Sequence, residues 1–195
     1  MIHERKPNRM KGYDYSKDNL YFVTTCVHDR VCCFGNIHVG PGRVDDFGPG
    51  RDDDFGTGRV FDVGTGRDLS LHRKIMVLNE YGQIAEKQWH WLGEQYHFIV
   101  LHAFVVMPNH FHGIIEIHRE AICENEEIKI KSLSELMGAY KTTVSKQIHL
   151  LGYSNFAWQR SFYDHIIRDD RSYENISNYI LNNPLKWEED KFYNQ

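Results

Sequence analysis

Two apolar segments, residues 98–107 and 111–117, are separated by little more than the pair Pro108-Asn109. Both segments are rich in β-branched and aromatic residues, which pack well on the pleated surface of a strand. A Pro-Asn pair is typical of a turn, because proline presets its own backbone angle and asparagine tolerates tight turns. The chain is therefore predicted to contain a β-hairpin, and any fold assigned to it must bury this pair of strands.

Further strands and a helix are predicted on either side of the hairpin. Residues 20–27 and 156–168 have the composition of strands, whereas residues 79–96 show the periodicity of an amphipathic helix. The apolar stripe of that helix is predicted to comprise Ile84, Ala85, Gln88, Trp91, Leu92 and Tyr96.

Capping signals mark two more helices. Ser132 and Glu135 have the spacing of a capping box, in which each residue satisfies a free backbone amide of the first turn. The helix that follows is predicted to bury Leu133, Leu136, Met137, Tyr140, Val144 and Ile148. Asp169 or Asp170 is predicted to begin a last helix, which Pro184 ends.

The resulting order is β-α-β-β-α-β followed by one more helix. This order is typical of ferredoxin-like and RRM-like α+β folds, in which helices cover one face of an antiparallel sheet. The opposite face of the sheet would then be free to carry a functional site.

Residues 40–71 consist of four copies of a Gly- and Asp-rich unit with a period of eight. So short and polar a repeat cannot build a core, and we interpret it as a low-complexity insertion in a single domain covering residues 1–195. The repeats carry four arginines and seven aspartates, so the net charge of −4 becomes −1 without them. Local basic patches remain at residues 1–17 and 129–146.

The sequence has no feature of an exported or membrane-bound chain. No segment approaches the roughly 18 apolar residues of a membrane span, and the polar N-terminus has no apolar region of a secretory signal. The four cysteines form no CxxC pair, and reduced thiols are expected. These features favour a cytoplasmic protein without a membrane partner.

His110 and His112 are the first candidate functional residues. Because they lie two residues apart on a predicted strand, both imidazoles should point to one face of the sheet, about 6–7 Å apart along the strand. Paired imidazoles suit a divalent metal, although two half-exposed histidines without a ligand fit the same pattern. We expect both side chains to face solvent.

Tyr179 on the last predicted helix is the second candidate. Tyr173, Ile176 and Ile180 occupy a narrow arc of that helix and should pack inward. Tyr179 and Asn183 lie together at the edge of this arc, one turn apart. A tyrosine that buries its ring and keeps its hydroxyl in water is the ordinary interpretation of such a position.

Six short segments resemble the HUH single-tyrosine transposases, and in particular the REP-associated tyrosine transposases. They are, in chain order, KGYDY (11–15), VMPNHFHGII (106–115), GAYK (138–141), WQR (158–160), FYDH (162–165) and YILNNP (179–184). The second segment resembles the HUH motif itself, and the last three resemble the C-terminal block of the REP-associated enzymes. The resemblance covers nearly the whole chain except the repeats at 40–71.

The resemblance implies a specific site and reaction. His110 and His112 would be metal ligands, Asn183 would complete the metal site, and the metal would be Mg²⁺ or Mn²⁺. Tyr179 would be the nucleophile, carried on a C-terminal helix, and would form a covalent 5′-phosphotyrosine link with the DNA before the strand is rejoined. The metal would polarise the scissile phosphate.

The partner implied by the resemblance is single-stranded or hairpin DNA, bound by a monomer or a homodimer. Basic side chains are candidates for phosphate contacts and an aromatic ring for stacking on an unpaired base. The candidate DNA-binding residues are Arg9, Lys11, Lys141, Trp158, Arg160 and Arg168.

Two other functions fit parts of the sequence. A domesticated protein could bind hairpin DNA without cleaving it, and a metal-dependent hydrolase could use the paired histidines with water. The intact set of His110, His112 and Tyr179 favours the transposase-like enzyme over the binding protein. A hydrolase would be expected to show further carboxylate or histidine ligands at regular spacing, and none is evident.

Overall fold

A four-stranded antiparallel sheet lies at the centre of the protein. The computed structural model describes residues 12–40, 73–118 and 130–193. Within these ranges the elements are, in chain order, β1 (Asn19–Cys26), β2 (Gly35–Gly40), β3 (Arg73–Leu78), α1 (Glu80–Gln95), β4 (Ile99–Met107), β5 (His110–Ile117), α2 (Leu133–Leu150), β6 (Tyr163–Ile167) and α3 (Asp170–Asn182). A short 3-10 helix, Pro184–Glu189, follows α3.

The main sheet has the strand order β4-β5-β1-β6. Strand β1 lies between β5 and β6 and is antiparallel to both, and the predicted hairpin pairs β4 with β5. Together with the crossover helices α1 and α2, this is the ferredoxin-like arrangement. The predicted α+β fold class is confirmed.

Helices α1 and α2 pack on one face of this sheet. The Asn79 side chain caps α1 by accepting hydrogen bonds from two backbone amides, and the predicted capping box of Ser132 and Glu135 opens α2. The buried residues of α2 are the six predicted ones. In α1 the stripe is rotated from the prediction, because Trp89 is fully buried 4.7 Å from the Phe111 ring, whereas Trp91 is only partly buried.

Helix α3 packs on the opposite face of the sheet. Asp169 caps the helix by accepting a hydrogen bond from the backbone amide of Ser172. Its only fully buried residue, Ile180, joins a small apolar cluster with Phe22 and Ile114 of the sheet. This face is therefore not open along its length, and a site on it must lie between the sheet and the C-terminal segment.

Two strands were not predicted from the sequence. Strands β2 and β3, which lie between β1 and α1 along the chain, form a separate two-stranded ribbon. Gly35 is opposite Leu78 in this ribbon, and Gly40 is opposite Arg73. Strand β3 contacts the Pro184–Glu189 helix. The repeats predicted as an insertion at 40–71 lie, apart from Gly40 itself, outside the described residues.

The strand predicted over residues 156–168 is shorter in the structure. Only Tyr163–Ile167 is paired with β1, because Trp158 forms an isolated bridge with Val27 and turns into the core beside Phe156. No helix in the described ranges is long and apolar enough to cross a membrane.

The pairing of β2 with β3 leads to a prediction for the stability of a chain that lacks residues 41–72. Because Gly40 and Arg73 are paired neighbours, a short Gly-Ser turn can join them without moving either strand. The shortened chain should fold, and its free energy of unfolding should be unchanged or higher by up to about 2 kcal/mol, since a shorter loop costs less entropy to close. Urea denaturation of both chains measures this, and a shortened chain that fails to fold would show that the repeats are structural.

Two helical glycines predict opposite effects of the same substitution. A Cβ at Gly82 would overlap the backbone carbonyl oxygen of Phe34, whereas a Cβ at Gly138 meets nothing within 4 Å. Gly82→Ala should therefore destabilise the protein by about 1–3 kcal/mol or more. Gly138→Ala should stabilise it by about 0.5–1 kcal/mol through helix propensity. Thermal unfolding of the two variants tests the close packing of α1 against Phe34. Equal changes in melting temperature for the two variants would contradict this packing.

Candidate metal and tyrosine site

His110 and His112 begin β5 and point to the face of the sheet that carries α3. Their ring centroids are 4.6 Å apart. We expected both side chains to face solvent, and this expectation is wrong: His110 is 0% and His112 is 1% exposed. The cause lies at the C-terminus, because the rings of Trp187 and Phe192 pack against His110 with centroid distances of 5.9 and 4.6 Å.

Asn109 determines which nitrogen of His110 carries a proton. Its side-chain NH2 group donates to the backbone carbonyls of Arg30, at 3.1 Å, and Phe192, at 2.8 Å. The amide oxygen of Asn109 must therefore be the atom that lies 2.8 Å from Nδ1 of His110. Since that oxygen can only accept, Nδ1 is the donor and Nε2 retains a free lone pair.

The Nε2 atom of His110 is buried and has no hydrogen-bond partner within the described part of the chain. On His112, Nδ1 lies 2.7 Å from the Thr24 hydroxyl and Nε2 lies 3.3 Å from the Tyr179 hydroxyl. A buried imidazole nitrogen without a partner is unfavourable unless something else binds it. Two imidazoles held by hydrogen bonds at Nδ1 fit a metal ion at Nε2.

Burial lowers the pKa of both histidines. The pKa of His110 falls to about 4, although the charge of Asp190 opposes this shift. The pKa of His112 lies well below its ordinary value because of burial and the neighbouring His110. Both imidazoles are therefore neutral at pH 7, which is the form that binds metals.

Tyr179 lies in the last turn of α3, with 41% of its surface exposed. Burial of its hydroxyl and the negative charge of Asp190 raise the pKa of Tyr179 to about 12, whereas a hydrogen bond from Asn183 lowers it. The hydroxyl is therefore protonated at neutral pH. It lies beside His112 and partly open to solvent, where a large substrate can reach it.

Asn183 follows α3 directly and is 2% exposed. Its NH2 group donates to a carboxylate oxygen of Asp190 at 3.1 Å. The Asn183 amide oxygen is left buried without a partner among the described residues. An amide oxygen is a suitable ligand for Mg²⁺ or Mn²⁺, so the residue fits the ligand role that the family resemblance implied.

Asp190 was not identified from the sequence. One of its oxygens and one ligand nitrogen of each of the two histidines lie within 4.8 Å of one another. Asp190 follows the Pro184–Glu189 helix and is the last of three consecutive acidic residues. No spacing to the HxH pair marks it, because the chain between them includes α2, β6 and α3.

The predicted DNA-binding residues lie in different surroundings. The Lys141 ammonium donates to the backbone carbonyls of Gln159 and Arg160 and lines an open groove of about 740 Å³. Trp158 also borders this groove but is only 9% exposed. The side chains of Arg160 and Arg168 are exposed. Arg9 and Lys11 lie outside the described residues.

The burial of His110 and its hydrogen bond to Asn109 lead to a prediction for the metal-free protein, which concerns the tautomer of His110 and the pH at which it takes up a proton. Nitrogen NMR of the imidazole should show His110 as the neutral Nδ1–H tautomer down to about pH 5, since its pKa is about 4. An unfolded histidine takes up its proton near pH ~6.5. The free energy of unfolding should therefore fall as the pH decreases from about 6.5 towards 4. A His110 resonance that titrates near pH ~6.5, or an Nε2–H tautomer, would contradict this arrangement.

No protein-family model matches the chain. An uncharacterised protein of Haemophilus influenzae (strain ATCC 51907 / DSM 11121 / KW20 / Rd) is 28% identical over 204 residues, covering 98% of this chain and 94% of that protein.

Two solved structures align with most of the chain. A candidate transposase from Deinococcus radiodurans R1 is 13% identical with a TM-score of 0.42, covering 89% of this chain and 95% of that chain. A REP-associated tyrosine transposase bound to a REP hairpin is 18% identical with a TM-score of 0.50, covering 92% of this chain and 73% of that chain. The resemblance found in the sequence motifs is thus confirmed at the level of the fold, and the chain has the α+β fold of a REP-associated tyrosine transposase.

Proposed function

We propose that the protein is a metal-dependent enzyme that nicks and rejoins single-stranded or hairpin DNA through one tyrosine. The observation that carries this proposal is the position of the Tyr179 hydroxyl, 3.3 Å from Nε2 of His112. A nucleophile and a pair of neutral imidazoles occupy one side of the sheet, and part of Tyr179 is open to solvent. The similar solved structure is that of a transposase bound to a REP hairpin, which supports hairpin DNA as the substrate.

The reaction is a phosphoryl transfer to the tyrosine oxygen. The Tyr179 hydroxyl loses its proton and attacks the phosphorus, the bond from phosphorus to the 3′ oxygen breaks, and the departing oxygen takes up a proton. The DNA is left attached through a 5′-phosphotyrosine bond. Because this bond retains the energy of the phosphodiester, a DNA 3′-hydroxyl can reverse the step and rejoin a strand without ATP.

His110, His112 and Asn183 would hold the metal ion in this proposal. Two of the three have a buried ligand atom without a partner among the described residues, namely Nε2 of His110 and the amide oxygen of Asn183. A bound Mg²⁺ or Mn²⁺ would supply positive charge for the oxygens of the scissile phosphate. Tyr179 needs such charge nearby, since its pKa of about 12 keeps the hydroxyl protonated at neutral pH.

Tyr179→Phe should abolish formation of the covalent adduct. Phenylalanine keeps the ring and its packing but removes the attacking oxygen, so adduct formation should fall by at least about a thousandfold. The assay incubates the protein with hairpin DNA carrying a single-stranded flank and Mg²⁺ or Mn²⁺, followed by denaturing electrophoresis. Peptide mapping of the wild-type adduct should locate the DNA on Tyr179, and excess EDTA should prevent the adduct.

Tyr163→Phe is the matched control. The rings of Tyr163 and Tyr179 both pack edge-on against Phe22, with centroid distances of 6.3 and 6.2 Å, and the two side chains are similarly exposed. The control should form the adduct at the wild-type rate. Hairpin binding without any adduct in the wild-type protein would instead indicate a DNA-binding protein, and cleavage with no attached DNA would indicate a hydrolase.

A further inference from the structure

We propose that Asp190 is the anionic ligand of the metal site, beside His110, His112 and Asn183. This inference rests on the proposed function, because it concerns the metal invoked there. It adds a residue from the C-terminal segment, which neither the HUH-like motif nor the spacing from Tyr179 indicates.

The position of the carboxylate supports a ligand role. One of its oxygens and one ligand nitrogen each of His110 and His112 are mutually within 4.8 Å. No ion pair joins Asp190 to a lysine or arginine within the described part of the chain. A carboxylate beside two buried neutral imidazoles, without a cationic partner, favours a metal ion that all three groups can bind.

Asp190 is also held in the manner of a metal-bound carboxylate. Oδ1 accepts a hydrogen bond from the backbone amide of Phe192 at 2.7 Å, and Oδ2 accepts one from the Asn183 NH2 group at 3.1 Å. The Tyr179 hydroxyl also hydrogen-bonds to this carboxylate, which still leaves a lone pair for a ligand, since two carboxylate oxygens can accept about four bonds. Ligands are commonly oriented by such outer hydrogen bonds, which reduce the freedom lost when the metal binds.

Asn183 can serve the metal and Asp190 at the same time. Its NH2 group is used on Asp190, and its buried amide oxygen has no partner among the described residues. The amide therefore presents one atom to the carboxylate and one to the site. Replacing it should disturb both the ligand set and the orientation of Asp190.

The chemistry of the metals also favours a carboxylate. Two imidazoles and one amide form a neutral ligand set, and imidazole-rich sites suit zinc, copper and iron. Mg²⁺ is usually bound in proteins through one or two carboxylates, and Mn²⁺ shares this preference for hard oxygen ligands. Asp190 supplies the missing negative charge, and four protein ligands still leave room for phosphate oxygens.

A different role for Asp190 would be to accept the proton of Tyr179, since the two side chains are close enough for the carboxylate to raise the pKa of that hydroxyl. The two roles make different predictions for metal binding without DNA. A base for Tyr179 does not affect the affinity for the metal, whereas a ligand does.

The test measures Mn²⁺ binding to the full chain, without DNA, from the electron paramagnetic resonance signal of free Mn²⁺. Asp190→Asn keeps the shape of the side chain but removes its charge, and should raise the Kd for Mn²⁺ by about 10- to 100-fold. Glu189→Gln removes the same charge from the exposed neighbouring side chain and should leave the Kd within about twofold. Equal Kd values for wild type and Asp190→Asn would overturn the proposal, even if that variant no longer formed an adduct.

A second measurement uses the unaltered protein, in case Asp190→Asn does not fold. Infrared difference spectra with and without Mn²⁺ should contain a carboxylate band that shifts when aspartate is labelled with ¹³C at its carboxyl carbon. Absence of any aspartate band in the presence of bound Mn²⁺ would overturn the ligand role. Mn²⁺ binding with an aspartate band but no DNA adduct would contradict the proposed function without overturning the ligand role, so the two failures are distinguishable.

Discussion

The arrangement of the site depends on the side-chain amide of Asn109. It is fully buried and uses both of its ends, donating to the backbone at Arg30 and Phe192 and accepting from His110. One residue thus orients the first histidine and ties the C-terminal segment to the hairpin. An alanine at this position would remove all three hydrogen bonds and leave the buried Nδ1 of His110 without this partner, which is far more costly than the loss of one exposed hydrogen bond.

Local patterns were enough to predict most of the fold. Periodicity identified the buried face of α2, and the order of strands and helices identified the sheet, because each signal lies within one segment. The ribbon was missed because β2 and β3 are short and lie on either side of the repeats. Trp158 was expected in a strand, but a contact with Val27, distant in sequence, determines its conformation.

The difference between signals within one segment and contacts distant in sequence also applies to the site. Strand spacing predicted that His110 and His112 share one face, and helix spacing placed Tyr179 one turn from Asn183, whereas the proposed roles of these residues came from the family resemblance. The burial of the histidines and the approach of Asp190 could not be predicted, because both depend on how residues 184–193 return across the sheet. That return is fixed by backbone contacts, such as the one from Asn109 to Phe192, which leave no pattern in the sequence.

The ribbon has a consequence for how the gene can vary. Its ladder keeps Gly40 and Arg73 opposite one another regardless of how many residues join them. A repeat unit of eight residues corresponds to a whole number of codons, so slippage during replication can add or delete a copy without a frameshift. Closing a loop twice as long costs only about 0.6 kcal/mol more. The number of repeat units can therefore change without disturbing the pairing of β2 with β3.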